Sequence, residues 1–129
     1  MGEIIKVGMA DLKICVSPDS LTTLGLGSCI GVAIVDPATK IGGLVHVMLP
    51  DSTAIRENSN RAKFADTGIE DLVKLMIAKG ASKSRMVAKI AGGAQMFSFN
   101  NNADLLRVGE RNAEASIKKL GELGIPLIA

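Results

Sequence analysis

Apolar and polar residues alternate through Glu3 to Val7 and again through Leu12 to Val16, and a period of two predicts short strands with one face toward a core. Ser17-Pro18-Asp19-Ser20 is a turn signal, after which Leu21 to Leu24 predicts another extended segment leading into a glycine-rich bend. Two longer apolar runs, Ile30 to Val35 and Ile41 to Leu49, flank Asp36-Pro37-Ala38-Thr39-Lys40, whose Asp-Pro start and shortness fit a hairpin connection. Pairing about that turn sets residues whose numbers sum to roughly 76 opposite each other. His46 is then expected to face Ile30, one step from Cys29, and a one-residue slip makes the two direct neighbours. Alternation puts Leu44, His46 and Met48 on one face of the second strand, and Val45, Val47 and Leu49 on the other.

The period changes in the second half. Ile69, Leu72, Val73, Met76 and Ile77 recur at helical spacing, with Thr67 to Glu70 matching a capping box and Gly80 placed to end the helix. Met86 to Ala91 predicts a strand that closes on Gly92-Gly93-Ala94. An Asn-rich loop, Asn100 to Asn102, then leads to a second helix marked by Ala113, Ile117 and Leu120. The polar stretch from Pro50 to Arg61 fits either a substrate-contacting lid or a plain surface connection. Ile125 to Ala129 opens an apolar segment that the chain leaves without a polar tail, and a missing C-terminal piece is the expectation. The strand-rich first half, with at least two helices packed on a mixed or antiparallel sheet, predicts an α+β fold in one domain over residues 1–129.

Composition narrows the function. The chain has 129 residues and a net charge of only +2, with its basic residues dispersed and three Phe as its sole aromatics. It lacks the basic stripe and stacking platforms of a nucleic-acid binder, so no nucleic-acid partner is expected. The N-terminus has no apolar signal core and no run is long enough to span a bilayer; a cytoplasmic protein without membrane insertion is expected. Cys15 and Cys29 are too few and too far apart to predict a metal site, and no cofactor is called for.

The most unusual stretch is Thr22-Thr23-Leu24-Gly25-Leu26-Gly27-Ser28-Cys29. A dinucleotide fingerprint or a serine nucleophile elbow would require glycine at position 30, which is Ile30, and no Gly-Lys-Ser/Thr follows to make a phosphate loop. What remains is a cysteine on a tight bend, where backbone N–H groups around Gly27, Ser28 and Cys29 could hold an oxyanion and lower the thiol pKa. His46 is the only histidine. A Cys–His pair is a minimal acyl-transfer engine: imidazole takes the thiol proton, sulfur attacks a carbonyl, and imidazolium protonates the leaving group. A buried structural cysteine and a neutral core histidine explain the same residues, and spacing leaves both readings open. No carboxylate lies in either strand except Asp36 at the far turn, so Thr22 or Thr23 is left to orient the imidazole through a hydroxyl. Cys15, in an alternating strand without glycines, reads as core. Met96 and Phe97 could line a shallow pocket beside Gly92-Gly93-Ala94.

Thr23-Leu24-Gly25-Leu26-Gly27-Ser28-Cys29, His46-Val47-Met48-Leu49-Pro50, Ala65-Asp66-Thr67, Lys89 to Phe97 and Gly109-Glu110-Arg111-Asn112 together resemble the CheD family of chemoreceptor glutamine deamidases. The resemblance runs in order through nearly the whole chain. It implies an α/β sandwich and a Cys–His–Thr triad that maps onto Cys29, His46 and Thr23. The implied reaction is hydrolysis of glutamine side chains on methyl-accepting chemotaxis receptors to glutamate and ammonia, with glutamyl methyl esters as a further substrate class. It also implies a CheC-like phosphatase as partner, so that a binding module regulating that phosphatase is the rival to an enzyme. The family's usual glycine- and arginine-containing segment beyond Ile125 to Ala129 is where this sequence departs from the pattern.

Overall fold

The computed structural model describes residues 2–50, 52, 60–93 and 103–128, the side chains of 103–108 excepted. Six strands and two helices follow in the order β1 (Ile4–Lys6), β2 (Leu12–Val16), β3 (Ser20–Thr22), β4 (Ile30–Asp36), β5 (Ile41–Val47), α1 (Ala65–Lys79), β6 (Val87–Gly92) and α2 (Ala103–Glu122). The architecture is the expected α+β: an antiparallel sheet in the order β2-β5-β4-β6, and a separate parallel pair of β1 and β3.

The helices cover one face of the main sheet. On β5 a side chain at Gly43 would sit within 2.9 Å of Leu72 and Met76 of α1, and one at Gly68 of α1 would sit 3.3 Å from Val45 and Val47. Small residues at these two crossings let α1 lie close to β5. Ile30, Val32, Ile34, Val45, Val47, Ile69, Leu72, Met76 and Leu120 form the shared core. Leu44 and His46 point to the opposite face, where the segment after β3 covers the His46 end.

The β4–β5 hairpin carries a correction. Its register pairs Ile30 with Val47, Gly31 with His46 and Asp36 with Ile41, so opposing numbers sum to 77 (30 + 47) rather than 76. The connection is the four residues 37–40, with Lys40 in the left-handed region at φ 59° and its N–H donating to the Asp36 carbonyl at 2.9 Å. A one-residue shift exchanges the faces of a strand. The shift runs away from Cys29: His46 stands opposite Gly31, two residues from Cys29, which lies outside the ladder in the bend before β4, so the two are not the direct neighbours that a slip the other way would have made them. Asp36 anchors the far end of the hairpin. Its buried carboxylate accepts from Arg85 Nε at 3.0 Å and Nη2 at 2.9 Å and from the N–H groups of Ser82 and Ala38, and the Arg85 guanidinium holds it well below the usual carboxylate range.

Three smaller expectations also change. Strand β3 ends at Thr22 and β5 at Val47, short of Leu24 and Leu49. The capping box at Thr67 is replaced by an earlier helix start, because the Leu49 carbonyl accepts the Ala65 N–H at 2.8 Å and Thr67 Oγ1 donates to the Arg61 carbonyl at 2.6 Å instead. Cys15 is half-buried on edge strand β2 with its thiol 3.5 Å from the Asp19 carbonyl, not in the core. Gly80 ends α1 as expected, at φ 124° with its N–H donating to Ile77 O.

Candidate functional site

The segment that leaves β3 supplies the first component. Thr22 stays in the strand layer, its carbonyl accepting the Val7 N–H at 2.8 Å, whereas Thr23 lies just past the strand end and turns over the main sheet. Two glycines in the left-handed region, Gly25 at φ 69° and Gly27 at φ 50°, bend the chain between Thr23 and Cys29. The bend rests on β4 where there is no side chain: a Cβ on Gly31 would lie 3.4 Å from Leu26 and 3.5 Å from Thr23.

His46 is fully buried beneath this segment. Thr23 Oγ1 lies 2.8 Å from His46 Nδ1 and 2.7 Å from the Val7 carbonyl oxygen. That carbonyl only accepts, so the hydroxyl proton goes to it and Thr23 Oγ1 accepts from Nδ1–H. The tautomer follows: neutral His46 carries its proton on Nδ1 and presents a lone pair at Nε2. Nε2 is buried and has no hydrogen-bond partner among the described residues. Of the two threonines the sequence offered, Thr23 is the one in contact.

Cys29 is buried, at 9% exposure, immediately before β4. Its backbone is held on three sides: its N–H donates to Leu26 O at 2.6 Å, its carbonyl accepts from Gly93 N at 2.8 Å, and the preceding Ser28 carbonyl accepts from Asn112 Nδ2 at 2.8 Å. The Cys29 N–H is therefore committed to the turn and is withdrawn from the expected oxyanion donors. The N–H groups of Gly27 and Ser28 donate to no acceptor among the described residues. The expected lowering of the thiol pKa is also reversed, since burial pushes the Cys29 thiol up. Burial pushes the His46 imidazole down. Both groups thus rest neutral at pH 7, and the imidazole is available as a base rather than preformed as an imidazolium.

Beside the bend, an open groove of about 690 Å³ is lined by Thr23 to Gly27 on one side and by Ala91 and Gly92 of β6 on the other. Its size suits a side chain with some flanking backbone. Met96, Phe97 and, of the loop from Pro50 to Arg61, residues 51 and 53–59 lie outside the described residues.

Asn112 was legible in the sequence only as the end of Gly109-Glu110-Arg111-Asn112. It is fully buried on α2 and donates to Met48 O at 2.9 Å as well as to Ser28 O. The overlooked signal was polarity on a buried helical stripe, Asn112 and Ser116 recurring four apart in line with Leu120.

Thr23→Val keeps the shape of the side chain and removes the hydroxyl, leaving Nδ1–H and the Val7 carbonyl without their shared partner. If the pair acts catalytically, kcat is expected to fall about tenfold, equal to about 1.4 kcal/mol of barrier, with KM little changed. Steady-state rates on a glutamine-bearing substrate measure this, and an unchanged kcat would deny Thr23 an orienting role.

Residues 48–129 match the family model described as "CheD chemotactic sensory transduction". A protein of Lachnoclostridium phytofermentans named "Probable chemoreceptor glutamine deamidase CheD" is 63% identical over 129 residues, covering 100% of this chain and 80% of that relative. One of Caldanaerobacter subterraneus with the same name is 54% identical, covering 98% of this chain and 78% of the relative. The "Chemoreceptor glutamine deamidase CheD" of Halalkalibacterium halodurans is 49% identical, covering 100% and 80%.

Proposed function

This chain belongs to the CheD family, and we propose on that premise that it is a cysteine-dependent protein-glutamine deamidase acting on chemotaxis receptors. The observation that supports the cysteine chemistry is the buried Nε2 of His46, which has no hydrogen-bond partner among the described residues, the Cys29 thiol included, while Nδ1 is held by Thr23.

In the first half-reaction, Cys29 Sγ bonds to the glutamine Cδ as its proton passes to His46 Nε2. The carbonyl oxygen takes up negative charge against the free N–H groups of Gly27 and Ser28. As the carbonyl re-forms, the C–N bond breaks and Nε2–H protonates the departing amine, giving ammonia and a thioester. In the second, water gives a proton to Nε2 and attacks the thioester; the C–S bond breaks, and sulfur recovers the proton to leave glutamate. Thr23 accepts the Nδ1–H bond throughout, which steadies the transient imidazolium. A glutamyl methyl ester would pass through the same steps with methanol as the leaving group.

The substrate glutamine is proposed to enter by the Thr23–Gly27 groove. Among the described residues no helix is long and apolar enough to cross a membrane. A cytoplasmic site of action, and a CheC-like phosphatase as second partner, are proposed on the family resemblance alone. The test is mass spectrometry of receptor cytoplasmic fragments incubated with the purified protein. Conversion of particular glutamines to glutamate, with matching ammonia release, is expected. Glutamines left intact at every position would sink the proposal, and turnover of free glutamine without receptor would redirect it to small amides.

A further inference from the structure

The β4–β5 ladder ends at Ile30 and Val47; Cys29 comes immediately before it on one chain, and His46 is one residue inside its end on the other. Just beyond the last pair, the carbonyls of Ser28 and Met48 converge on one point. Two carbonyls cannot bond to each other, and buried without a donor each would cost about 1–3 kcal/mol. Asn112 fills the gap, its single –NH2 group giving one proton to Ser28 O at 2.8 Å and the other to Met48 O at 2.9 Å. An amide is the neutral group that can donate twice from one atom at this reach; aspartate can donate to neither carbonyl, and serine to one at most.

The two bonds act on the reacting segments. Ser28 O belongs to the same peptide plane as the Cys29 N–H, which is fixed at its other end by Leu26 O at 2.6 Å. Met48 lies two residues past His46, and its N–H is held by Lys63 O at 2.7 Å. Asn112 is itself set by α2, which comes so close to the residue after β6 that a Cβ on Gly109 would run into the Gly93 carbonyl.

We propose that Asn112 is a positioning residue for deamidation: its amide clamps the Cys29-bearing and His46-bearing chains together at the point where their ladder opens. This rests on the reading of Cys29 and His46 as the reacting pair. Asn112 hydrogen-bonds to neither the thiol nor the imidazole. It sets the spacing between them, and a displacement of about 1 Å at a reacting pair is enough to cost about a hundredfold in rate.

Kinetics and denaturant unfolding of Asn112→Asp, Asn112→Ala and Ser116→Ala test the proposal. Ser116→Ala removes a buried hydrogen bond from the same helix without freeing either carbonyl. Both Asn112 variants are expected to lose about a hundredfold in kcat per folded molecule, with KM within about threefold of wild type because the groove residues are untouched. Ser116→Ala is expected to lose stability while keeping wild-type kcat per folded molecule. The proposal is overturned by near-wild-type kcat in Asn112→Ala, by a loss in Ser116→Ala equal to that in Asn112→Ala, or by Asn112 variants that cannot fold, which would make the residue a stability element. Cys29→Ala run alongside separates the two readings: activity surviving there removes the reacting pair itself, whereas an inactive Cys29→Ala beside a fully active Asn112→Ala removes only the clamp.

Discussion

Cys29→Ala protein is expected to release ammonia from receptor fragments at a rate lower by about ten-thousandfold or more, while keeping its fold. The size of the loss follows from the covalent route, since no other group at the site can form the thioester that splits amide hydrolysis into two easier steps. Retention of the fold follows from what the side chain does structurally. Every hydrogen bond at this position uses the backbone: N–H to Leu26 O, C=O from Gly93 N, and the Ser28 carbonyl from Asn112. Alanine keeps all three and loses only the packing of one buried sulfur, on the order of 1–2 kcal/mol. Mass spectrometry of the fragments and thermal unfolding of the variant check the two halves separately. Wild-type conversion by Cys29→Ala protein would show that the thiol is not the nucleophile.

His46→Ala is expected to approach the same loss near neutral pH, and Cys29→Ala/His46→Ala to be no worse than either alone, because a base without its nucleophile contributes nothing. The pH dependence should distinguish them. In the proposed mechanism the competent form has a neutral imidazole and a protonated thiol. Burial lowers the His46 pKa below its ordinary 6.5 and raises that of Cys29 above its ordinary 9.0, so kcat/KM should be flat across that interval. The acid limb, where His46 takes a proton, lies below it, and the alkaline limb, where the thiol ionises without the base's help, lies above it. With His46 removed, only the small thiolate fraction can attack, and residual activity should climb about tenfold per pH unit toward the raised thiol pKa. A wild-type profile that climbs in the same way through neutral pH would mean that His46 takes no proton from Cys29.

A Cys–His–Thr arrangement has a specific weakness and a specific compensation. Threonine stabilises imidazolium less than a carboxylate does, and buried charge is costly, so the resting site avoids charge altogether. In the proposed mechanism, imidazolium then exists only while the oxyanion does. Its attraction to that oxyanion in a water-poor site offsets the missing carboxylate.

Local sequence determined the elements. The period of two through Leu12 to Val16 and Ile41 to Val47, the helical recurrence of Ile69, Leu72, Val73 and Met76, and the stop at Gly80 are short-range patterns, fixed by backbone sterics and by the face each segment must bury. The candidate chemistry was equally local in its signals: one histidine, one cysteine at the end of a glycine-rich bend, and an ordered set of segments resembling a single family. Everything that depends on alignment between segments was decided by the tertiary structure. The hairpin register differs from the simplest count by one residue, with Lys40 in the left-handed region closing a four-residue connection, and that single step puts His46 opposite Gly31 rather than Ile30. Spacing alone left Thr22 beside Thr23, the family resemblance pointed to Thr23, and the end of β3 at Thr22 is the physical reason that Thr23 is the one in contact with His46. The thiol pKa is raised by burial, and the one N–H of the bend that belongs to Cys29 itself is already bonded to Leu26 O. Asn112 lies 84 residues from Ser28 and 64 from Met48 in sequence, a separation at which no local pattern survives. Cys29 and His46 could be named from the chain; the His46 tautomer and the two bonds from Asn112 to Ser28 O and Met48 O exist only once the sheet has closed around them.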